Sequence, residues 1–301
     1  MNTFLHRDKP SGVIRATGED AQDYLQSQLS VNLSILCDGE IRFGLRLNTK
    51  GKVLAGMYVL KISEEEFLLI SRKSQASPLV DLLEENVVAD EIEFTDETGQ
   101  WNFHSTWGDE KKLVLEGHGL ALPESGKLVS TEAGFAFPDS RLPGKTVSFL
   151  ILEELDHDNF TLPPDLLLAQ GNELELARIR TGLVSIPDEI GPNDLPQEGG
   201  LAESSVDFDK GCFLGQEVMA RLHAMGKARR QTVTVRWPGP DSISTPVDLY
   251  AGEKKVGELR SLVMDKNEGI GIALVHETGI PVLENDGLSI KDVTEGKITL
   301  L

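Results

Sequence analysis

The sequence predicts an α+β protein of two domains, a mixed helix-and-strand region followed by a C-terminal antiparallel β-barrel. At 301 residues the chain is long enough for two hydrophobic cores. Helical and alternating apolar patterns are mixed up to Gly226. Beyond it, only short strand-like runs occur, separated by Gly, Pro and Asp. We therefore predict domains at residues 1–226 and 227–301, with the boundary near Lys227.

The first hundred residues alternate between helix and strand patterns. Apolar residues that follow residues 18–20 fall on one helical face, which predicts a helix. Residues 41–47 alternate strictly between apolar and polar side chains and predict a half-buried strand. Residues 48–51 have turn chemistry, and residues 53–62 supply the returning strand of a β-hairpin.

The rest of the chain is divided by its Pro, Gly and acidic residues. We expect a strand over residues 67–70 and a helix that begins near Pro78. Helices are also expected over residues 164–169 and 172–181. The Pro-, Gly- and acid-rich stretch 186–200 predicts a long surface loop. The expected strands of the C-terminal domain are residues 232–237, 247–250, 255–262 and 269–275.

Composition excludes several classes of function. The net charge of −20 argues against a surface that coats nucleic acid, so no direct nucleic-acid partner is predicted. The N-terminus has no apolar signal region and no run of 18 apolar residues occurs, which predicts no membrane partner. Two cysteines are too few for a disulfide framework or a cysteine-ligated metal site, and they suit a reducing compartment. A cytoplasmic protein with no metal site is the simplest interpretation.

The motif most typical of a chemical centre is residues 210–217, Lys-Gly-Cys-Phe-Leu-Gly-Gln-Glu. Cys212 stands beside Lys210, between Gly211 and Gly215, just before a predicted helix over residues 214–225. A neighbouring cation and the positive end of a helix both stabilise a thiolate, so Cys212 and Lys210 are the predicted catalytic residues. The alternative is that Cys212 is a small buried hydrophobe. Cys37 has no such setting and is predicted to be structural.

A basic run follows this motif. Residues 218–236 contain no Asp or Glu and carry five cations: Arg221, Lys227, Arg229, Arg230 and Arg236. Such a run favours a positive wall for a carboxylate or phosphate. A solvated segment between domains is the alternative.

Residues 210–217 resemble the signature K-G-C-[FY]-x-G-Q-E of the YgfZ family, folate-binding proteins linked to iron–sulfur protein maintenance and tRNA modification. Residues 177–182, 195–198 and 206–208 resemble the segments that precede this signature in the family. Residues 24–30 and 47–52 resemble segments shared with aminomethyltransferases. The resemblance implies the aminomethyltransferase-like (GcvT-like) fold, with interleaved α/β subdomains around a folate channel and a C-terminal antiparallel β-barrel.

The resemblance also implies a cofactor and its site. The cofactor is tetrahydrofolate or a one-carbon derivative, and the basic run would face its glutamate tail. The other signature residues are Gly211, Phe213, Gly215, Gln216, Glu217 and Arg221. The expected folate contacts are Asn48, Arg178, Glu198, Arg229 and Arg230.

Two departures point away from the classical transferase. Where the glycine-cleavage aminomethyltransferase carries acidic residues after its hairpin, this chain has Ala55 and Gly56. Where it carries a helical Glu, this chain has Arg180. The resemblance therefore implies a folate-binding accessory factor for iron–sulfur cluster assembly or repair, with iron–sulfur client or assembly proteins as partners. Cys212 would ligate a transferred cluster or protect it by redox exchange, so any effect on tRNA would be indirect. The alternative is a folate-dependent one-carbon transferase.

Overall fold

The structure is a computed structural model that describes residues 2–124, 127–156, 166–169, 171–226, 228–239, 242–291, 293 and 296–301. The strands are β1 (Thr3–Asp8), β2 (Gly12–Thr17), β3 (Ile41–Leu47), β4 (Val53–Lys61), β5 (Glu66–Ser71), β6 (Glu93–Asp96), β7 (Trp101–Trp107), β8 (Val129–Thr131), β9 (Gly134–Pro138), β10 (Val147–Leu152), β11 (Leu166–Leu168), β12 (Arg230–Trp237), β13 (Val247–Ala251), β14 (Lys254–Asp265), β15 (Glu268–His276), β16 (Ser289–Ile290) and β17 (Thr299–Leu300). The α-helices are α1 (Ala21–Gln28), α2 (Ala76–Glu84), α3 (Lys111–Gly117), α4 (Gly171–Arg180), α5 (Ala202–Ser205), α6 (Gln216–Met225) and α7 (Ile280–Asn285). Within the described ranges, no helix is long and apolar enough to cross a membrane.

Three sheets organise these elements. The first sheet has the order β3-β4-β5-β2-β6 and the second has the order β11-β1-β7-β10-β9-β8. Since β1 belongs to the second sheet, β2–β6 to the first and β7–β11 to the second again, the two sheets are interleaved along the chain. This confirms the interleaved α+β architecture.

The first two sheets pack face to face between helices. Val13 and Tyr58 of the first sheet share a buried apolar core with Phe103 and Phe137 of the second. Helices α1 and α2 cover the outer face of the first sheet, and α3 covers the outer face of the second. Burial of these continuous apolar faces supplies the main favourable term for this layered arrangement.

The third sheet, β16-β13-β14-β15-β12-β17, is a curled antiparallel half-barrel formed from residues after Gly226. Its inner residues form a core of their own around Trp237 and Leu259. On its other side, Ile272 packs in a shared core with Leu47 of β3 and Met219 of α6. The division at Lys227 stays a prediction, and Lys227 lies outside the described residues.

The structure corrects three expectations about individual segments. Residues 186–200 are not a surface loop, because Glu189 and Asp194 within them are fully buried and paired with arginines. Leu166–Leu168 is a strand beside β1 rather than part of a helix, and residues 164 and 165 lie outside the described residues. The helix predicted over residues 214–225 begins at Gln216, and Met219 is a fully buried apolar side chain on it.

Candidate functional site

Lys210 fixes residues 210–215, here called the cysteine loop, to the end of α1. Its Nζ donates hydrogen bonds to the backbone carbonyls of Gln26, Leu29 and Val31, at 2.6, 2.7 and 2.7 Å. The residue is only 6% exposed. Burial lowers the pKa of its ammonium to about 8, although the charge of Asp207 acts in the opposite direction. The lysine therefore joins two parts of the chain that are far apart in sequence.

Further contacts brace the same loop. The Leu214 N–H donates to the Ser27 carbonyl at 3.0 Å, and the Ser30 hydroxyl donates to the Ser205 carbonyl at 2.5 Å. Gly215 adopts φ +84° and approaches the β3–β4 turn so closely that an added Cβ would lie 2.6 Å from the Asn48 carbonyl oxygen. Glycine is the residue that tolerates this combination. The segments that resemble the family's motifs are thus in direct contact.

Cys212 itself is exposed, four residues before the first residue of α6. The burial alternative is therefore wrong. All three hydrogen bonds that Nζ of Lys210 makes go to carbonyl oxygens, which assigns the lysine a positioning contact with α1. Catalytic roles for Cys212 and Lys210 stay predictions. Cys37 is exposed as well, and its structural role stays a prediction.

The other signature residues have different settings. Phe213 is buried in the core shared with the half-barrel, and Gln216 begins α6, where its N–H donates to the Phe213 carbonyl at 3.1 Å. Gly211, Glu217 and Arg221 are exposed. Gly211 has a negative φ and no neighbour within 4 Å of an added Cβ, so glycine is not required there for space.

A large cavity of about 1240 Å³ opens beside the cysteine loop. Phe43 and Tyr58, which face each other across β3 and β4 with ring centroids 5.1 Å apart, form part of its wall. Phe208 and His223, stacked at 4.2 Å, form another part. The lining cations are Arg42, Lys111 and Lys145, and the lining carboxylates are Asp139, Glu203, Asp207 and Asp209. Asp209, three residues before Cys212 in the sequence, lines the cavity, and Cys212 itself does not.

A smaller cavity of about 280 Å³ lies between the first two sheets and α4, and it also includes Phe43 and Tyr58 in its lining. Nδ1 of His6 and Nε of Arg72 are buried in its walls without a hydrogen-bond partner among the described residues. A Cβ at Gly56 would lie 2.8 Å from the Phe43 ring, so the glycine allows this ring to pack directly against the backbone of β4. Unpaired buried donors and acceptors favour a polar occupant.

Several charges around the small cavity are paired. Arg178 binds Glu189 through two hydrogen bonds of 2.8 and 2.9 Å and Glu175 through two more of 2.7 and 3.1 Å. Burial alone would lower the pKa of Arg178, but the hydrogen bonds and charge of Glu189 outweigh it and raise the pKa. Burial would raise the pKa of Glu175, and the charge and hydrogen bond of Arg178 hold it below its usual value. Burial, reinforced by Asp139, raises the pKa of Tyr58 well above its usual range.

The five predicted folate contacts are not brought together. Arg178 lines the small cavity, whereas Asn48 lies in the β3–β4 turn, where its side chain accepts hydrogen bonds from the chain's own N–H groups. Glu198 and Arg230 pair with each other at 2.8 and 2.9 Å, and Arg229 is exposed. Their contact with folate stays a prediction.

The basic run is partly neutralised. Arg230 pairs with Glu198 and Asp194, and Arg236 pairs with Glu268 at 3.0 Å. Arg221 and Arg229 are exposed, and Lys227 lies outside the described residues. A continuous positive wall is therefore not formed at positions 230 and 236.

Sequence reasoning singled out Arg178 of the small cavity and missed the aromatic and unpaired polar residues of the cavity walls. Phe43 and Tyr58 read only as core residues of two strands, because strand periodicity does not distinguish a core from a cavity wall. His6 and Arg72 lie in separate elements with no shared motif. No signal in the sequence alone joins these four residues.

Comparison with known proteins places this architecture in a class. Residues 9–118 match the family model of the GCVT N-terminal domain. The glycine cleavage system aminomethyltransferase T from Bartonella henselae superposes with a TM-score of 0.79 over 99% of this chain and 84% of that chain, at 16% identity. The fold is thus that of an aminomethyltransferase.

The sequence relatives are consistent with the signature. The chain is 27% identical over 312 residues to a protein from Cryptococcus neoformans named iron-sulfur cluster assembly factor IBA57 homolog, mitochondrial (87% of this chain, 80% of the relative). It is 24% identical over 237 residues to the tRNA-modifying protein YgfZ of Colwellia psychrerythraea (76% and 70%). An uncharacterized protein from Haemophilus influenzae is 25% identical over 259 residues (83% and 81%). These relatives, at modest identity, confirm the resemblance to the YgfZ family.

Proposed function

We propose that this protein is a tetrahydrofolate-binding accessory factor for iron–sulfur cluster assembly or repair, and that it affects tRNA modification indirectly, through iron–sulfur enzymes. One observation carries the proposal: Cys212 is exposed on a loop that Lys210 anchors, and Asp209, three residues earlier in the sequence, lines the large cavity. The relatives named for cluster assembly and tRNA modification support the same role.

The two cavities suit the parts of a folate. Phe43 and Tyr58, shared by both cavities, offer aromatic faces to a flat ring, and His6 and Arg72 offer unpaired polar atoms to its edge. The wall of the large cavity carries three cations, Arg42, Lys111 and Lys145, that can pair with the carboxylates of a glutamate tail, and four carboxylates that oppose a negative charge. The ring would lie in the small cavity and the tail in the large one.

Cys212 would act as a ligand for a cluster that is cargo rather than a resident group. Its sulfur is the soft donor that iron prefers, and its exposure allows approach by a second protein. One thiolate cannot hold a cluster alone, so the partner or a small thiol must supply the remaining ligands. The partners are therefore iron–sulfur client or assembly proteins.

The compartment belongs to this proposal as well. A cytoplasmic location fits the reducing environment that a free exposed thiol needs. The IBA57 relative is named mitochondrial, and a mitochondrial matrix is also reducing. Fractionation of cells that express the chain distinguishes the two.

A complementation experiment tests the cysteine. In cells that lack their own copy of this family, the activity of an iron–sulfur tRNA-thiolating enzyme is measured with wild type, Cys212→Ala or Cys37→Ala. Both cysteines are exposed, so Cys37→Ala is the matched control. We expect wild type and Cys37→Ala to restore activity and Cys212→Ala to fail at equal protein levels. Equal rescue by Cys212→Ala would remove the cysteine from the proposal.

A binding experiment tests the folate site separately. Calorimetry with 5-formyltetrahydrofolate compares wild type with His6→Phe, which keeps a ring but removes the unpaired nitrogen. Loss of one hydrogen bond predicts binding weaker by about threefold to tenfold. His276→Phe, in the half-barrel, is the control and should bind as wild type does. No binding by wild type would contradict the folate part of the proposal.

The alternative is a folate-dependent one-carbon transferase, which the aminomethyltransferase fold favours. Ala55 packs in the core under α1 and Gly56 has no side chain, so this part of β4 offers no carboxylate to the cavity. Glu175 does reach the small cavity, but Arg178 holds it as an anion, which makes it a poor general acid. Turnover of a methylene donor with tetrahydrofolate, undiminished in Cys212→Ala, would establish the alternative.

A further inference from the structure

A second group of chemically capable side chains lies on the other side of the second sheet, away from both cavities. His104 is on β7, His118 follows the C-terminal end of α3, and Asp156 follows a 3-10 turn after β10. Both histidines are buried, and Asp156 is partly exposed at the rim. None of the three lines either of the cavities described above.

The spacing of this group suits a small cation. Nε2 of His104 lies 2.8 Å from Oδ2 of Asp156, and Nε2 of His118 lies 3.9 Å from Oδ1. One ligand atom from each residue falls within 4.8 Å of the others. Ligand atoms at about 2.0–2.2 Å from a tetrahedral zinc ion lie about 3.4 Å apart. Side-chain rotations that move the ligand atoms by a few tenths of an ångström to about one ångström would therefore complete the geometry.

Neighbouring groups orient two of the three side chains as metal ligands are usually oriented. Nδ1 of His118 is 2.7 Å from the Val114 carbonyl, and when Nδ1 donates that hydrogen bond it carries the ring proton, so that Nε2 is the nitrogen able to ligate a metal. The Asn102 amide donates to Oδ2 of Asp156 at 2.7 Å. Nδ1 of His104 is buried without a hydrogen-bond partner among the described residues, although the residue is only 3% exposed.

We propose that His104, His118 and Asp156 form a zinc-binding site with three protein ligands and one position open to water. Two imidazoles and a carboxylate are a common donor set for Zn²⁺. Arg7 lies opposite His104 on β1 and its positive charge opposes a bound cation, which the carboxylate of Asp156 offsets.

A metal here would tie three elements together. It would join β7 to the end of α3 and to the segment after β10. Because Lys111 begins α3 and Leu122 and Pro123 follow it, all three on the wall of the large cavity, the bound ion would also hold that wall in place. The site would thus be structural for the neighbouring cavity.

A zinc titration tests the site without reference to activity. The full chain carries Cys37→Ser and Cys212→Ser, so that exposed thiols do not bind the metal, and competes with a chromophoric chelator for ZnCl₂. We expect one equivalent bound by this protein. His118→Gln and Asp156→Asn should each raise the Kd for zinc by at least tenfold. Tenfold is the lower end of the range for residues that only orient a metal ligand. The control His276→Gln should leave the Kd unchanged.

A second measurement keeps the test decisive if a variant unfolds. Co²⁺ bound to the double-serine protein should give the visible bands of four- or five-coordinate cobalt, and Zn²⁺ should raise its Tm. Absence of a tight equivalent, cobalt bands typical of six-coordinate solvated ion, or binding retained by folded His118→Gln would each overturn the proposal and leave the three residues as a structural hydrogen-bonded cluster.

Discussion

At the scale of single residues, the ammonium group of Lys210 binds backbone carbonyls rather than a carboxylate side chain. Its ammonium contacts three carbonyl oxygens at the end of α1, where the last turn of a helix leaves carbonyls without helical partners. Cations are favoured at this end by the helix dipole. The same ammonium group thus satisfies carbonyls at the C-terminal end of α1 and holds the cysteine loop against the helix.

Replacement of Lys210 by Met should lower the free energy of unfolding by about 2–4 kcal/mol. Each hydrogen bond from a charged donor contributes about 1.5–3 kcal/mol, and relief from burying the charge offsets part of the loss of three. Urea unfolding measures the change, with Lys50→Met on the exposed turn as the control. A loss below about 1 kcal/mol would show that the carbonyls find other donors.

Glu175 should make stability depend on acid pH. Its folded pKa is held below the ordinary value of 4.5 by Arg178 despite burial, so its contribution is present above that value and is lost as pH falls through the folded pKa. The difference in unfolding free energy between wild type and Glu175→Gln should therefore be largest at neutral pH and shrink toward pH 3. Exposed Glu132→Gln should show no such trend, and a constant difference for Glu175→Gln would contradict the assignment.

At the scale of elements, the β3–β4 turn and the start of α6 touch backbone to backbone. Gly215, with φ +84°, approaches the Asn48 carbonyl, and Gly51 in the turn approaches Val218. The contact aligns the cysteine loop with the hairpin that forms part of the cavity wall. Gly215 meets the turn through its backbone and Gly51 leaves room for the Val218 side chain, so both glycines set the separation of the two elements.

Gly215→Ala should destabilise the protein by more than Gly226→Ala at the other end of α6. Both glycines have left-handed φ, which costs a residue with a Cβ about 1–2 kcal/mol, but the added Cβ meets the Asn48 oxygen at position 215 and open space at position 226. Thermal or urea unfolding of the two variants isolates the cost of the close approach. Equal losses would show that the turn moves aside.

At the scale of the whole molecule, the half-barrel is joined to the rest by ionic as well as apolar contacts. Asp194 is fully buried between Arg230 of β12 and Arg260 of β14. Its carboxylate also accepts a hydrogen bond from the Gly191 N–H at 3.1 Å. The buried acidic segment between α4 and α5 therefore serves as the joint between the N-terminal layers and the half-barrel.

Asp194→Asn should destabilise the protein by about 3–5 kcal/mol, because it leaves two arginines facing a neutral buried group. Glu268→Gln breaks the exposed pair with Arg236 and should cost less than about 1 kcal/mol. Denaturant unfolding compares them, and added salt should reduce the effect at Glu268 more than that at Asp194. Similar small losses at both positions would show that the joint is apolar.

The sequence predicted the fold better than the site. Strict alternation over residues 41–47 and the isolated strands after Gly226 follow local periodicity, and their strands form as expected. The prediction of a surface loop over residues 186–200 is wrong because acidic residues favour solvent unless a cation meets them. Local periodicity does not show that Arg178, 11 residues before Glu189, and Arg230, 36 residues after Asp194, fold onto this segment. The motif at Cys212 was visible as spacing. The cavities, and the group of His104, His118 and Asp156, arise only when separate strands pack together.

The anchor of Lys210 has a consequence for synthesis of the chain. Lys210 lies 181 residues after Leu29, whose carbonyl it binds. At about 5–20 residues per second, a ribosome needs roughly 10–35 s to supply that lysine after the end of α1 has emerged. During this interval the carbonyls at the end of α1 have no lysine to donate hydrogen bonds to them, and the cysteine loop has not yet been synthesised. Unfinished chains that stop before Lys210 therefore lack the contact that positions Cys212.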